Sequence, residues 1–242
     1  MSRFRFALGL LFACGFSAAP ALAVPRLLRP SCAVCSLAPG PVCPACEADF
    51  FPAALPRCRV CAIPMHGPDS ICGRCLSAPP HFVRATALAD YAPPVDGMVR
   101  ALKFGARLDL ASVFGQLLAR RTRADDGALV VPVPLAFERL AERGYNQSRA
   151  LAAGVGRARG LPLADGLLRR VRETRPQSGE PLAARHDNLA GAFVAQARAA
   201  GGAWVVVDDV MTSGATLQAT AAALKAAGAR LVVNLVAART LP

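Results

Sequence analysis

Residues 204–216 read Trp-Val-Val-Val-Asp-Asp-Val-Met-Thr-Ser-Gly-Ala-Thr, and this stretch restricts the fold more than any other. The four-residue apolar run predicts a buried strand. Asp208 and Asp209 stand at its expected C-terminal end, followed by a small hydroxyl-rich loop, Thr212-Ser213-Gly214-Ala215-Thr216. An Ala-rich helical segment then runs from Leu217 to about Ala227, with Gly228 placed to end it. Such a unit sets backbone N–H groups and hydroxyls around an anion at a helix N-terminus. The carboxylates alongside can accept hydrogen bonds from vicinal hydroxyls or hold Mg2+ through water. A sugar phosphate has that shape. An isolated Asp-Asp after a strand is commonly a helix N-cap and its neighbour; the complete string is what favours the anion site.

Eight of the nine cysteines fall in four Cys-x2-Cys knuckles: Cys32/Cys35, Cys43/Cys46, Cys58/Cys61 and Cys72/Cys75. Two intervening residues let both sulfurs reach one tetrahedral Zn2+ from a tight turn. Two knuckles make a four-cysteine site, so the expected cofactor is two structural zinc ions. Sequential pairing closes loops of seven and ten residues between knuckles. Interleaved pairing is equally compatible with the spacing, and disulfides are the competing chemistry if the chain is exported. His66 and His81 lie nearby but are not needed as ligands.

Patterning divides the chain into an apolar or signal-like N-terminal segment (1–26), a double zinc ribbon (27–80) and an α/β domain (81–242). Residues 82–91 read as a strand or hairpin, Val95–Phe104 and 109–123 as helices, and 129–134 as a buried strand stopped by proline. Residues 136–158 read as helical on either side of Gly144, Leu167–Val171 as a short strand, and 172–188 as a mobile loop. Strands at 203–207 and 231–236 flank a helix at 214–227. Strands alternating with helices predict a parallel sheet with helices on both faces.

Three further groups are candidates for chemistry. Pro132-Val133-Pro134 leads into Arg139, Arg143, Gly144, Tyr145, Asn146 and Gln147, arginines and amides suited to a pyrophosphate. Arg169, Arg170, Arg172, Arg175, Gln177 and Arg185 lie in or beside the expected loop, where they suit closure over a phosphorylated ligand or contact with a nucleic-acid backbone. Lys103, with Arg100 and Arg107, reads as a surface patch. The net charge of +12 and pI of about 10.1 favour anionic partners, although Lys103 and Lys225 are the only lysines and an Arg- and Ala-rich bias accounts for much of it. Arg3 and Arg5, the apolar run Phe6–Phe16 and Ala21-Leu22-Ala23 have the form of a secretory signal. That run is too short to span a membrane, and stable membrane insertion is not expected. Thiolates at zinc spacing point instead to a reducing, cytoplasmic compartment.

Residues 204–216 resemble the phosphoribosyl-pyrophosphate (PRPP) signature of type I phosphoribosyltransferases at every position. Knuckles, Asp90-Tyr91, Ala101-Leu102-Lys103-Phe104, Val131-Pro132-Val133-Pro134, Arg143-Gly144-Tyr145-Asn146-Gln147, Gln177 and Asn188-Leu189-Ala190-Gly191-Ala192-Phe193 precede that signature in order. The arrangement resembles the competence protein F (ComF/GntX) family of bacterial phosphoribosyltransferase-like proteins from about residue 27 to 240. The resemblance implies a type I phosphoribosyltransferase fold, Asp208 and Asp209 as catalytic or ribose-anchoring acids, and PRPP contacts from Asp208, Asp209, Val210, Met211, Thr212, Ser213, Gly214, Ala215, Thr216, Arg143 and Lys103. It also implies Mg2+ bound with PRPP, a role in natural competence, and single-stranded DNA, a competence helicase or other DNA-uptake proteins as partners. A catalytic transferase acting on a small base or amine is the alternative.

Overall fold

Short apolar runs rich in Val, Leu and Ala form the strands, and amphipathic segments cover them. The computed structural model describes residues 30–53, 55–67, 70–122, 129–172, 189–196, 199 and 201–241. The signal-like segment and most of the expected basic loop, with Arg175, Gln177 and Arg185, lie outside the described residues. In chain order the elements are α1 (Pro44–Phe50), α2 (Gly73–Ser77), β1 (Arg84–Asp90), α3 (Val95–Phe104), α4 (Leu108–Arg121) and β2 (Leu129–Pro132). There follow α5 (Phe137–Arg143), α6 (Gln147–Arg159), β3 (Leu168–Arg170), β4 (Phe193–Ala195), β5 (Ala203–Met211), α7 (Ala215–Ala226) and β6 (Leu231–Arg239).

The main sheet has the order β1-β6-β5-β2 and is parallel throughout. Strands β3 and β4 pair antiparallel in a separate two-stranded sheet. Helices cover both faces. Val95, Met98, Val99 and Leu102 of α3 sit at i, i+3, i+4 and i+7 and pack with Phe114, Leu151, Val205 and Leu235. Burying each such side chain is worth about 1.5–3 kcal/mol. The opposite face packs Trp204, Val206, Val232 and Val236 against Leu217, Ala221 and Leu224 of α7.

Helices α4 and α6 approach closely because Gly115 meets Gly154 at their crossing. This contact presses α6 onto β2 and β5 and directs its N-terminus toward the C-terminal edge of the sheet, where ligands of open α/β sheets bind. Asn146 caps α6, accepting from the Ser148 amide at 2.9 Å. Gly144, at φ +73°, ends α5 and permits the sharp turn between the two helices.

Two boundaries correct the sequence reading. Strand β5 does not stop at Val207 but runs on to Met211, so the acid pair lies within the strand instead of after it. Strand β6 likewise extends beyond 236 to Arg239. Neighbouring parallel strands keep the backbone paired here, with Met211 opposite Arg239, and that pairing outweighs the low strand propensity of aspartate.

The cysteine segment folds twice in the same way. In each half the second cysteine is followed by a residue in the left-handed region, Ser36 or Ala62, both at φ 57°. The third cysteine, Cys43 or Cys72, occupies the N-cap of a short helix whose first turn carries the fourth. The halves are seated differently. Cys32, Cys43 and Cys46 form a small cluster of their own with Val42 and Phe50. Cys58, Cys61, Ala62 and Cys75 belong to the same core as Trp204, Met211 and Leu217. Among the described residues, no helix is long and apolar enough to cross a membrane.

Candidate functional site

Side chains alternate along β5 until the acid pair. Trp204 and Val206 face the α7 core, while Val205 and Val207 face the α3–α4–α6 core. Val210 then packs against the α3–α4–α6 core and Met211 lies in the α7 core. The register with β6 runs unbroken through the acid pair, Asp208 lying opposite Val236 and Val210 opposite Ala238. At this C-terminal end of the strand both carboxylates meet donors on neighbouring elements.

Those donors come from three elements. Lys103 Nζ, from the last turn of α3, lies 2.9 Å from Asp209 Oδ1. Gln147 Nε2, in the first turn of α6, donates to Asp209 Oδ2 at 2.6 Å. Ser148 Oγ donates to Asp208 Oδ1 at 2.8 Å, and the Asp209 amide donates to the same oxygen at 2.9 Å. Arg143 Nη1 donates to Gln147 Oε1 at 3.1 Å and so fixes which end of that amide faces Asp209. The Arg143 guanidinium also stacks 4.8 Å from the centre of the Phe104 ring. Tyr145 Oη donates to the Leu102 carbonyl at 2.7 Å, tying α3 to the α5–α6 turn. Burial and the adjacent Asp209 charge push the Asp208 carboxyl up to about 7, against the hydrogen bond from Ser148.

Asp209 therefore has both oxygens engaged, while Asp208 Oδ2 accepts no bond among the described residues. The pair forms no Mg2+ cage by itself, because that ion needs several oxygens in octahedral array. The donor set fits Mg2+ only if ligand oxygens complete the shell.

The loop after β5 is shaped by glycine. Gly214 stands at φ +85°, and a Cβ there would come 2.7 Å from Met211 Cε. Ser213 is buried, and its Oγ accepts from the Ala215 amide at 3.2 Å. Thr212 is exposed and Thr216 half-buried at the start of α7. Met211 points into the core instead of the site. Behind the loop the buried Arg239 donates through Nη1 to the carbonyls of Met211 (2.9 Å) and Thr212, and through Nε to that of Cys61 (3.1 Å).

The four cysteine pairs assemble sequentially. Cys32, Cys35, Cys43 and Cys46 form one group and Cys58, Cys61, Cys72 and Cys75 the other, with all four sulfurs of each within 4.8 Å of one another. All eight are free thiols. The Cys35–Cys43 and Cys61–Cys72 sulfurs are 3.8 and 3.6 Å apart. A tetrahedron with Zn–S bonds of about 2.3 Å has edges of about 3.8 Å, whereas a disulfide is about 2.05 Å. The donor set therefore fits zinc. Burial opposes ionisation of Cys32 and Cys58, but backbone amides donating to their sulfurs outweigh it and bring the thiols down to about 6 and about 7. The Cys43 amide, 3.4 Å from Cys32 Sγ, and the Cys72 amide, 3.3 Å from Cys58 Sγ, are equivalent bonds in the two halves.

Sequence reasoning separated residues that the structure unites. Lys103, a patch from its surroundings but a PRPP contact by the resemblance, joins Asp209; Ser148 and Arg239 carry no sequence signal that marks them. Arg100 and Arg107 are instead paired with Asp96 and Asp109. Arg169 and Arg170 line a neighbouring cavity of about 650 Å3 with Pro134, Phe137, Tyr145 and Asn146, whose walls do not include the acid pair.

No family model matches the chain. It is 35% identical over 191 residues to the DNA utilization protein YhgH of Escherichia coli (strain K12), covering 76% of this chain and 84% of that protein. The Salmonella typhi protein of the same name is 34% identical over the same shares. Competence protein F of Haemophilus influenzae is 27% identical over 197 residues, or 77% and 85% of the two chains. Among solved structures, glutamine PRPP amidotransferase from B. subtilis aligns with 23% identity and a TM-score of 0.40, over 57% of this chain and 30% of that one. The chain belongs to the family of the DNA utilization protein YhgH and competence protein F.

Proposed function

We propose that this chain binds PRPP together with Mg2+ at Asp208, Asp209 and the 212–216 loop, and that it serves the handling of incoming single-stranded DNA in the cytoplasm. The observation that carries the reading is the convergence of Lys103, Gln147 and Ser148 on an adjacent acid pair, next to a glycine-shaped loop that opens a helix. The loop amides and hydroxyls would hold the 5′-phosphate. Asp208 and Asp209 would accept the ribose hydroxyls, and Lys103 would turn from Asp209 toward the pyrophosphate. Mg2+, when bound, neutralises pyrophosphate charge. Residues 27–80 form the zinc-binding module and 81–242 the PRPP-binding domain, each cysteine cluster holding one structural zinc ion.

The DNA half of the reading is supported by the family, whose members are named for DNA utilization and competence. Residues 97–185 carry sixteen Arg and Lys against eight Asp and Glu. Phe104 and Phe137 are 70% and 77% exposed, and Phe104 already stacks with Arg143; exposed aromatics beside cations suit unstacked bases.

The second reading, a transferase, draws on the cavity of about 650 Å3 beside the β2 end, which has room for a small acceptor. There an acceptor nitrogen would form a bond to C1 of the ribose while the C1–O bond breaks and its electron pair leaves on pyrophosphate.

Calorimetry with PRPP and Mg2+ tests the first reading. Asp209→Asn and Thr216→Ala should each weaken binding roughly tenfold, about 1.4 kcal/mol, and unchanged affinity in both refutes the site. Single-strand titrations at several salt concentrations should show affinity falling steeply with salt and shifting with PRPP. DNA binding absent at low salt removes the DNA half. Pyrophosphate release in the presence of a candidate base would then select the transferase.

A further inference from the structure

Arg239 ends the last strand of the sheet and is 3% exposed. Its guanidinium spans two parts of the molecule far apart in sequence. Nε donates to the carbonyl of Cys61, inside the second cysteine cluster. Nη1 donates to the carbonyls of Met211 and Thr212, at the start of the 212–216 loop, and to Thr240. Every acceptor is a neutral oxygen, so a buried positive charge sits here without a carboxylate among these partners. Four thiolates around one divalent zinc carry a net charge of −2. The second cluster, when loaded, would set that negative charge beside Arg239, whose Nε holds the Cys61 carbonyl.

Resting on the PRPP reading above, we infer that Arg239 is a positioning residue that links zinc at the second cluster to sugar-phosphate binding at the 212–216 loop. It touches neither ligand. By holding the Met211 and Thr212 carbonyls inward, it turns the following loop amides toward the phosphate. The first cluster has no such bridge to the 212–216 loop among the described residues and packs instead toward the α3–α4–α6 core through Val34, Val42 and Phe50. Coupling should therefore involve one of the two zinc sites.

Thermodynamic linkage tests this on the wild-type chain. Zinc affinities are measured by competition with a buffered chelator, with and without saturating PRPP and Mg2+. PRPP should raise the zinc affinity of one site roughly tenfold and leave the other unchanged, and zinc at that site should raise PRPP affinity by the same factor. A Cys35→Ser, Cys46→Ser chain, in which the second cluster alone binds zinc, should retain the full coupling. Arg239→Met should abolish it, and Arg239→Lys, which keeps the charge but not the fork, should restore part of it. PRPP that binds with equal affinity whatever the zinc content overturns the inference and leaves the PRPP reading standing. Coupling of equal size in the wild type and Arg239→Met also overturns it. PRPP that does not bind the zinc-loaded wild type removes both.

Discussion

Gly115→Ala and Gly97→Ala are the same chemical change in adjacent helices, and the structure gives them opposite signs. At Gly115 an added Cβ would lie 2.7 Å from Gly154 Cα, 2.8 Å from Gly154 C and 2.9 Å from the Leu151 carbonyl oxygen. Carbon atoms prefer about 3.5–4.0 Å, so α4 and α6 must part by about 1 Å. The opposing atoms are backbone and cannot swing aside. Overpacking of this kind costs about 1–3 kcal/mol. The gain in helix propensity from Gly to Ala returns about 1 kcal/mol, which leaves a net loss of up to about 2 kcal/mol, the upper end applying to a clash with backbone. At Gly97 nothing lies within 4 Å of the new Cβ, so the propensity gain of up to about 1 kcal/mol stands alone. For a chain of this size each kcal/mol moves Tm by about 2–4 °C. Thermal unfolding of zinc-loaded protein should show Gly115→Ala below and Gly97→Ala above the wild type. Function should follow, because α6 carries Gln147 and Ser148. A shift of α6 disturbs the 2.8 Å Ser148–Asp208 bond, so Gly115→Ala should also weaken PRPP binding. A Gly115→Ala protein that melts at or above the wild type refutes the reasoning.

Other outcomes follow from single groups. Since the folded state raises Asp208 to about 7, it holds a proton that the unfolded chain releases near pH 4. Stability should therefore fall as pH rises from about 4 to about 7, and urea titrations should show a shallower fall for Asp208→Asn; parallel profiles would contradict the shift. Metal analysis of reduced protein should find about two zinc ions per chain. Mapped disulfides without metal would remove the zinc assignment. Asn234 is fully buried in β6 with neither side-chain polar atom partnered among the described residues. Asn234→Val should thus raise stability by about 1–3 kcal/mol, and an unchanged or lower Tm would mean that the amide is satisfied in solution.

The sequence displayed the parts of this molecule better than their junctions. The order of strand, acids, loop and helix was legible because each piece carries a local signal: apolar run, paired carboxylates, glycine, alanine periodicity. The end of β5 was misread because Asp208 and Asp209 resemble a strand terminus, while the pairing that extends the strand comes from β6, more than twenty residues away. Lys103 is marked as a ligand contact only through the family resemblance, because an ion pair across 106 residues leaves no local pattern. Cysteine spacing revealed the knuckles but not their partners, since either pairing satisfies the same turns. Ser148 followed directly after the amides that were noticed. A lone arginine ending a strand, as at Arg239, carries no signal before folding brings the carbonyls of Cys61, Met211 and Thr212 against it.

The unequal seating of the two cysteine clusters divides the chain into regions that should exchange amide hydrogens with solvent on different clocks. Amides of the first half hang from a core of three cysteines and a few neighbours, docked on the α3–α4–α6 core through partly buried residues such as Val34, Val42 and Phe50, so they should open more readily than the sheet. Arg121 stops that opening at a defined point. Its guanidinium grips the carbonyls of Phe51 and Pro52 on one side and of Ala87 and Leu88 on the other. Beyond this clasp the second half shares the fate of β5 and β6, and its amides should exchange only when the whole α/β body opens.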